Sequence, residues 1–398
     1  MDNKKPLYSQ IIDCLKDKIS EGEYLSGKRL PTEMELAREF KVSRITSKRV
    51  LDELEREGII YRKKGTGSFL REKPIASNAN MIQNAKNINI VALVMPFGSS
   101  LGKGIDLIHG ASDYLENHGY ILSVKNSMLE LNTERDYLLN ITDTGTSGVI
   151  LYPVDSRKNV DIVNMLIHNN YPIVTVDRYY EEISIGSVTS DNFAGSYEAT
   201  SYLIKKGHSH IGYVSDVGLE NATTVKNRYL GYCKALSDSN IEIKYGNYVL
   251  DYVSELKNDY PGIYEILRMN RPLDKNCIEY FKRILNKLLD RQDRITAIHT
   301  VNDYVAIHIL TTALHMGVNV PNDLSLIGFD DIEISQHLEV PLTTLQQDFY
   351  QIGYQAALML MNKIEGFGCE PEKLMLPVRL IERESVADNL TALERITA

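Results

Sequence analysis

Eight short apolar runs punctuate residues 88–303, and this alternation limits what the chain can fold into more than any other feature. The runs are INIVALVMP (88–96), YILSVKN (120–126), GVILYPVD (148–155), PIVTVDR (172–178), GSVTSDN (186–192), HIGYVSD (210–216), NYVLD (247–251) and AIHTVND (297–303). Amphipathic stretches separate most of them, as near residues 104–117. Parallel strands buried on both faces read as continuous apolar segments and need crossover helices, so the pattern predicts βαβ units. Two series of runs predict an α/β body of two doubly wound lobes. Ligands of such sheets lie beyond the carboxyl ends of the strands, which directs attention to the residues closing each run.

Ahead of this body the period changes. Leu7, Ile11, Ile12, Leu15 and Ile19 recur at helical spacing and predict a first helix over residues 6–19. Thr32 and Glu35 fit a capping box before a short second helix with Leu36, Ala37 and Phe40. Ser43 is placed to cap a third helix, in which Ile45, Val50, Leu51 and Leu54 are expected inside and Arg44, Thr46, Lys48 and Arg49 outside. GIIYRKKGTGSFL (58–70) reads as a hairpin with Lys63 and Lys64 at its tip and Tyr61 and Phe69 in its core. Three helices and a basic hairpin predict a winged helix–turn–helix over residues 1–72. Periodicity then lapses, which predicts a tether over 73–87 and leaves 88–388 for the body.

Charge supports this division. The 398-residue chain carries a formal net charge of −9, yet residues 1–73 hold 17 Lys and Arg against 13 Asp and Glu, and the remainder 27 against 40. A basic head on an acidic body points to an anionic partner for the head. A helix–turn–helix sets its second helix in the major groove, where Arg reads guanine edges and hydroxyls reach phosphate, so double-stranded DNA is the expected partner. Cys14, Cys233, Cys277 and Cys369 are too scattered for a disulfide framework or a zinc site. Asp2, Lys4 and Lys5 interrupt any signal-peptide core and no apolar run has membrane-spanning length, so a cytoplasmic protein without membrane association is expected. There is no GxSxG, Walker loop or HExxH, so neither an enzyme nor a cofactor or metal is expected.

LPTEMELAREFKVSRITSKRVLDELEREGIIYRKKGTGSFL resembles the winged helix–turn–helix of the GntR family of transcription regulators. The resemblance implies DNA contacts at Glu33, Ser43, Arg44, Thr46 and Lys48, with Lys64 and Gly65 in the wing; Arg49 and Lys63 extend the basic face. Met34 departs from the arginine that many members carry there. The segments VTSDNFAGSYEATSYLIKKGHSHIGYVS, NRYLGYCKAL, AIHTVNDYVAIHILTTALHMGVNVPNDLSLIGFDD and PLTTLQQDFYQIGYQAALML resemble the effector domains of LacI/GalR repressors, which are built like periplasmic sugar-binding proteins. That resemblance implies crossings between lobes near 189–192, 321–324 and 345–348. Lobe 1 is then about 88–190 with 323–346, and lobe 2 about 191–322 with 347–388.

The same resemblance implies effector contacts at Arg228 and Asp303, and these suit a polyol: a carboxylate accepts vicinal hydroxyl protons and a guanidinium donates in a fixed fork. Asp155 ends a run and is a further candidate. Lys103 and Gly104 stand where purine-responsive members carry an aromatic pair, so a sugar is favoured over a purine and Lys103 joins the candidates. Asp177 and Arg178 fit either the cleft or a strand-end ion pair. His208 and His210 read as structural, and Asp330 and Asp331 as an acidic turn rather than a metal site. Residues 253–276 exceed the family pattern and have no assigned place. A GntR-type head on a LacI-type body is the pairing of arabinose-utilisation repressors of the AraR type, which the whole chain resembles. The implied function is a homodimeric repressor, paired through its effector domain, that binds operator DNA and is released by L-arabinose. Another pentose, a hexose or a related glycoside is the alternative effector.

Overall fold

The computed structural model describes residues 7–20, 29–56, 59–63, 66–70, 89–97, 102–268, 272–290, 294–367 and 372–389. They fall into two compact units that divide between residues 88 and 89. The tether expected at 73–87, together with Lys64 and Gly65, lies outside the described residues.

The first unit contains α1 (Leu7–Ser20), α2 (Glu33–Glu39), α3 (Arg44–Arg56) and an antiparallel pair, β1 (Ile60–Lys63) and β2 (Gly67–Leu70). Leu15, Leu36, Val50, Leu54 and Ile60 are fully buried in one core. At the start of α2 the Thr32 amide donates to Glu35 Oε2 at 2.6 Å and the Glu35 amide donates to Thr32 Oγ1 at 3.3 Å. The bonds from Thr32 hold the Glu35 carboxyl below its ordinary range.

The inner stripe of α3 differs from expectation at one position. Ile45 is 82% exposed and Ser47 is buried, because 47, 50, 51 and 54 follow the i, i+3, i+4, i+7 spacing that 45 does not share. The Ser47 hydroxyl donates to the Glu33 carbonyl at 2.8 Å, fastening α3 to the start of α2. In the hairpin, Tyr61 and Phe69 stack across the ladder at 5.6 Å, but on the outer face, where Tyr61 is exposed. Strand alternation sends Ile60 inward instead.

The second unit opens with β3 (Asn89–Met95), α4 (Gly104–Asn117), β4 (Tyr120–Asn126), α5 (Leu131–Asn140), β5 (Gly148–Leu151), α6 (Val160–His168), β6 (Ile173–Val176) and β7 (Gly186–Ser190). It continues with α7 (Asn192–Lys205), β8 (Ile211–Val214), α8 (Thr223–Asp238), β9 (Tyr248–Val249), α9 (Tyr252–Asp259), α10 (Pro261–Arg268), α11 (Lys275–Leu289), β10 (Ala297–Thr300), α12 (Asp303–His315), β11 (Ser325–Asp330) and β12 (Thr343–Gln346). It closes with α13 (Phe349–Ile364), β13 (Lys373–Leu376) and β14 (Arg379–Ile381). One sheet runs β13-β7-β6-β5-β3-β4, all parallel; the other runs β14-β12-β11-β10-β8-β9, parallel except for β14.

The division of the chain between lobes corrects the sequence expectation. The chain leaves the first sheet after β7, returns after β12 with α13, and leaves again between β13 and β14. Residues 323–346 therefore belong to the second lobe, since β11 pairs with β10 and β12, whereas α13 and β13 belong to the first. Segment likeness does not reveal which sheet a strand joins; pairing decides it. α13 lies so close to α4 that a Cβ on Gly110 would stand 1.9 Å from the Tyr350 carbonyl oxygen and one on Gly353 2.1 Å from that of Leu107. The described residues of 253–276 contribute α9, α10 and the start of α11, three helices where the neighbouring crossovers use one α-helix.

Candidate nucleic-acid interface and effector cleft

In the first unit the candidate DNA contacts gather at the start of α3. Ser43 Oγ accepts the Thr46 amide at 3.1 Å and lies 2.9 Å from Thr46 Oγ1, so two hydroxyls stand at a helix amino terminus, where free amides attract phosphate. Arg44 is exposed and its Nε lies 3.3 Å from Glu33 Oε2, which joins two expected contacts from different helices. Lys48 is exposed one turn further on. Arg49 is also exposed, but its guanidinium stacks 4.0 Å over the Tyr8 ring, which sets it on the α1 side of the helix and away from the expected face. Lys63 is exposed at the end of β1, while its neighbour Arg62 turns back to Asp52 at 2.7 Å and Glu55 at 3.3 Å on α3. Met34 is exposed beside this surface.

In the second unit a cleft of about 550 Å³ is lined from both lobes. Its walls are strand ends: Phe97 after β3, Tyr152 and Asp155 after β5, Arg178 after β6, Asp216 after β8 and Asp330 at the end of β11. Asp330 and Asp331 have φ of 117° and 51°. Such backbone costs a residue other than glycine about 1–3 kcal/mol and persists only where its surroundings impose it. Asp303 imposes it here, accepting the Ile332 amide at 2.9 Å and the Thr344 hydroxyl at 2.5 Å, while Asp331 is held by Arg383 at 2.6 Å and Gln346 at 2.8 Å. Gly328 leaves the space that Asp303 fills, for a Cβ there would stand 2.2 Å from Asp303 Oδ1.

Two expected sugar contacts are thereby reassigned. Asp303 is fully buried and both its oxygens are occupied; burial, with the Asp330 charge beside it, raises its carboxyl well above the ordinary range. It supports the loop and does not line the cleft. Asp330, read from sequence as an acidic turn, lines it together with Asp155 and Asp216. Its Oδ1 accepts from Gln347 Nε2 at 2.6 Å and lies 3.3 Å from the Arg228 guanidinium. Burial raises Asp330 to about 6, with Arg228 pulling it down. Arg228 itself stands behind the wall, donating to Asn192 at 2.7 Å and to the Val301 carbonyl at 2.6 Å and stacking 3.7 Å over Phe329, so it bears on the cleft through Asp330.

Asp155 and Lys103 do line the cleft. Asp155 Oδ2 accepts from Asn221 of the opposite lobe at 2.8 Å, and Lys103 lies 3.7 Å from Asp106. Gly104 makes room for Phe97, whose ring atoms would stand 2.6 Å from a Cβ at that position, and Phe97 meets Tyr152 edge to face at 5.6 Å. The cleft thus has aromatic faces at positions that the sequence reading did not single out, although Tyr152 directly follows β5 and Phe97 lies two residues after β3. Arg178 donates to the carbonyls of Pro153 and Val154, and among the described residues no ion pair joins it to Asp177. His308, on α12, also lines the cleft; burial lowers it to about 4, which leaves a neutral ring whose Nδ1 has no hydrogen-bond partner among the described residues. His208 bonds Thr296 at 2.9 Å and the Ala387 carbonyl at 3.1 Å, a structural placement. Beside the cleft the lobes are clasped, with the Ser156 amide donating to the Asn221 carbonyl at 2.8 Å and Lys226 paired with Glu181 at 2.9 Å. Carboxylates on the floor, fixed donors and flat rings form a set suited to a polyhydroxylated ring.

Residues 7–70 match the bacterial regulatory proteins of the gntR family. Residues 104–272 match the periplasmic binding proteins and sugar binding domain of the LacI family, and 200–386 match the periplasmic binding protein-like domain. Among curated relatives, an arabinose metabolism transcriptional repressor of Halalkalibacterium halodurans is 29% identical over 90% of this chain and 89% of its own. One from Geobacillus stearothermophilus is 29% identical over 90% of this chain and 92% of its own. Among solved structures, a LacI family regulator from Enterococcus faecium with bound ribose matches 76% of this chain and 100% of its own at 24% identity and a TM-score of 0.59. A complex of the regulator CelR with cellobiose matches 89% of this chain and 100% of its own at 21% identity and a TM-score of 0.61. These two likenesses concern the fold. The chain thus joins an amino-terminal region similar to gntR-family regulatory proteins to a region similar to the LacI-type, periplasmic-binding-protein-like domain, and the arabinose metabolism repressors resemble it over 90% of its length.

Proposed function

We propose that the protein is a sugar-responsive transcription repressor, not an enzyme, that grips operator DNA as a homodimer and lets go when L-arabinose fills the cleft. The observation that carries the reading is the cleft floor, where Asp330 is held in costly backbone by its neighbours and stands among Asp155, Arg178 and the Phe97 and Tyr152 rings. Carboxylates accept hydroxyl protons, Arg178 donates, and the rings cover C–H faces. The names of the arabinose metabolism repressors supply the choice of sugar. The dimer is proposed through the second unit, and the setting is the cytoplasm, where operators are.

Coupling requires that the sugar bind one lobe arrangement better than another, since equal affinity for both would shift nothing. Calorimetric titration of the full chain with L-arabinose, other pentoses, hexoses and glycosides tests the reading. Saturable binding of L-arabinose in preference to its stereoisomers supports it; binding of none of these sugars overturns it. The cleft volume favours one second reading, a glycoside larger than a single pentose, because clefts of about 300–1,000 Å³ bury ligands of drug size.

A further inference from the structure

The helices α9 and α10 occupy a place that the regular winding of the lobe does not require. Among the described residues, every crossover of the first lobe from β3 to β6 uses one α-helix, and so do the connections β8 to β9 and β10 to β11. Between β9 and β10 the described residues form three. α11 is the covering helix, with Phe281, Leu285 and Leu288 fully buried. The other two are anchored to the same core by Tyr252, Leu256 and Ile263. What they turn the other way is the point of interest: Tyr264, Leu267 and Arg268, at i, i+3 and i+4 on one face of α10, all line the cleft, as does Lys257 of α9.

Arg268 crosses the cleft. Its guanidinium is held by Glu265 of its own helix at 3.0 Å and reaches the first lobe, where it donates to the Met128 carbonyl at 3.4 Å and lies 3.7 Å from Glu130. The side chain is only 16% exposed. The segment it meets is itself unusual. Met128 and Leu129 have φ of 54° and 62°, two consecutive left-handed residues that are not glycine, pinned by Ser127, whose amide donates to the Met95 carbonyl at 2.9 Å. Leu129 lines the cleft from this side. Lys257 completes the arrangement, its ammonium 5.0 Å from the centre of the Tyr264 ring.

We infer that α9 and α10 form a third wall of the effector site, in which Tyr264 supplies a face for the C–H side of a carbohydrate ring, Lys257 donates to its hydroxyls, and Arg268 fastens the wall to the opposite lobe. The wall makes the site selective for what lies outermost on the sugar. It rests on the reading of the cleft as a sugar site. Arg268 is a positioning residue: it holds Tyr264 over the ligand through contacts that exist only while the lobes are together, so it governs the escape of the ligand more than its arrival.

The test uses the full chain in calorimetry and stopped-flow, with L-arabinose and its methyl glycoside. Tyr264→Ala weakens L-arabinose by about tenfold, the scale of one aromatic contact, while Tyr264→Phe keeps the affinity. Arg268→Ala weakens it by about fivefold, almost wholly through faster dissociation, as expected for a tie that is partly exposed. Both alanine variants change the preference between arabinose and its glycoside. The chain contains no tryptophan, so Tyr264→Trp places a single indole in the wall, and its emission shifts on adding sugar. If the parent binds L-arabinose and all these variants bind it with the same affinity, dissociation rate and preference, the third wall is refuted while the sugar reading stands. If the parent binds no sugar, the sugar reading fails first and takes the wall with it.

Discussion

In the first unit Ser43, Arg44 and Lys48 stand together at the open start of one helix, whereas the cleft of the second gathers Phe97, Tyr152, Arg178, Asp216 and Asp330 from the ends of strands in two sheets. The exposed residues of α3 remain solvated, and their ties, such as Arg44 to Glu33 and Ser43 to Thr46, stay at the surface, so removing one costs little beyond its own contact. The cleft residues are linked through groups that no ligand touches: Asp330 leans on Arg228 and Gln347, and its loop hangs from Asp303. A substitution in the cleft therefore changes the ligand and the scaffold together, and the comparison can be broken by showing either region to behave like the other.

The largest effect is expected at Asp330. Asp330→Asn weakens the sugar by about 100-fold, since hydrogen bonds to a charged group contribute about 1.5–3 kcal/mol each. Asp303→Asn keeps the sugar within about threefold, because that residue lies behind the wall; its loss would be read as stability. Calorimetry with thermal melting separates the two, and the reverse pattern would restore Asp303 to the floor. Next, Arg44→Ala weakens operator binding by about 10- to 100-fold, the range of about 1–3 kcal/mol for a base-reading arginine, without altering the sugar. An operator obtained by selection with the full chain serves for this measurement.

Acidity sharpens the contrast. Asp330 in the folded protein titrates at about 6, so below that pH it carries a proton that must leave before it can accept sugar hydroxyls. Sugar affinity is accordingly flat above about pH 6 and falls by up to about tenfold per unit below it, and Asp330→Asn removes the slope. In the first unit the graded variable is salt. Lys48→Ala reduces the log–log salt slope of operator binding by about 0.9, the share of one phosphate. Smallest is Ser47→Ala, expected to lower stability by about 1 kcal/mol in denaturant unfolding through the lost bond to Glu33.

What sequence could reveal follows the same contrast. Helix capping and apolar spacing are local, so the three helices of the first unit and the Thr32 box were legible; Ile45 was misassigned because it is apolar but off the stripe that Ser47 occupies. Strand ends were legible too, and Asp155 came from them. The choice between Asp303 and Asp330 was not. Both acids stand near strand ends, but one begins a helix and turns into the core while the other closes a strand under a positive φ, and only the fold separates them. Phe97 was hidden because the space it fills is defined by a glycine seven residues away. Across the cleft Arg268 of α10 meets a segment 140 residues earlier, a contact with no trace in spacing.

The central claim is that occupancy of the cleft in the second unit is felt by the DNA-binding surface of the first. The most direct measurement is fluorescence anisotropy of a labelled operator duplex with the full chain, at fixed ionic strength, with and without saturating L-arabinose. The account predicts that the sugar weakens operator binding by about 10- to 100-fold, the scale of ordinary allosteric coupling, and that Asp330→Asn abolishes the effect. Unchanged operator affinity in the presence of sugar that calorimetry shows to be bound would contradict it.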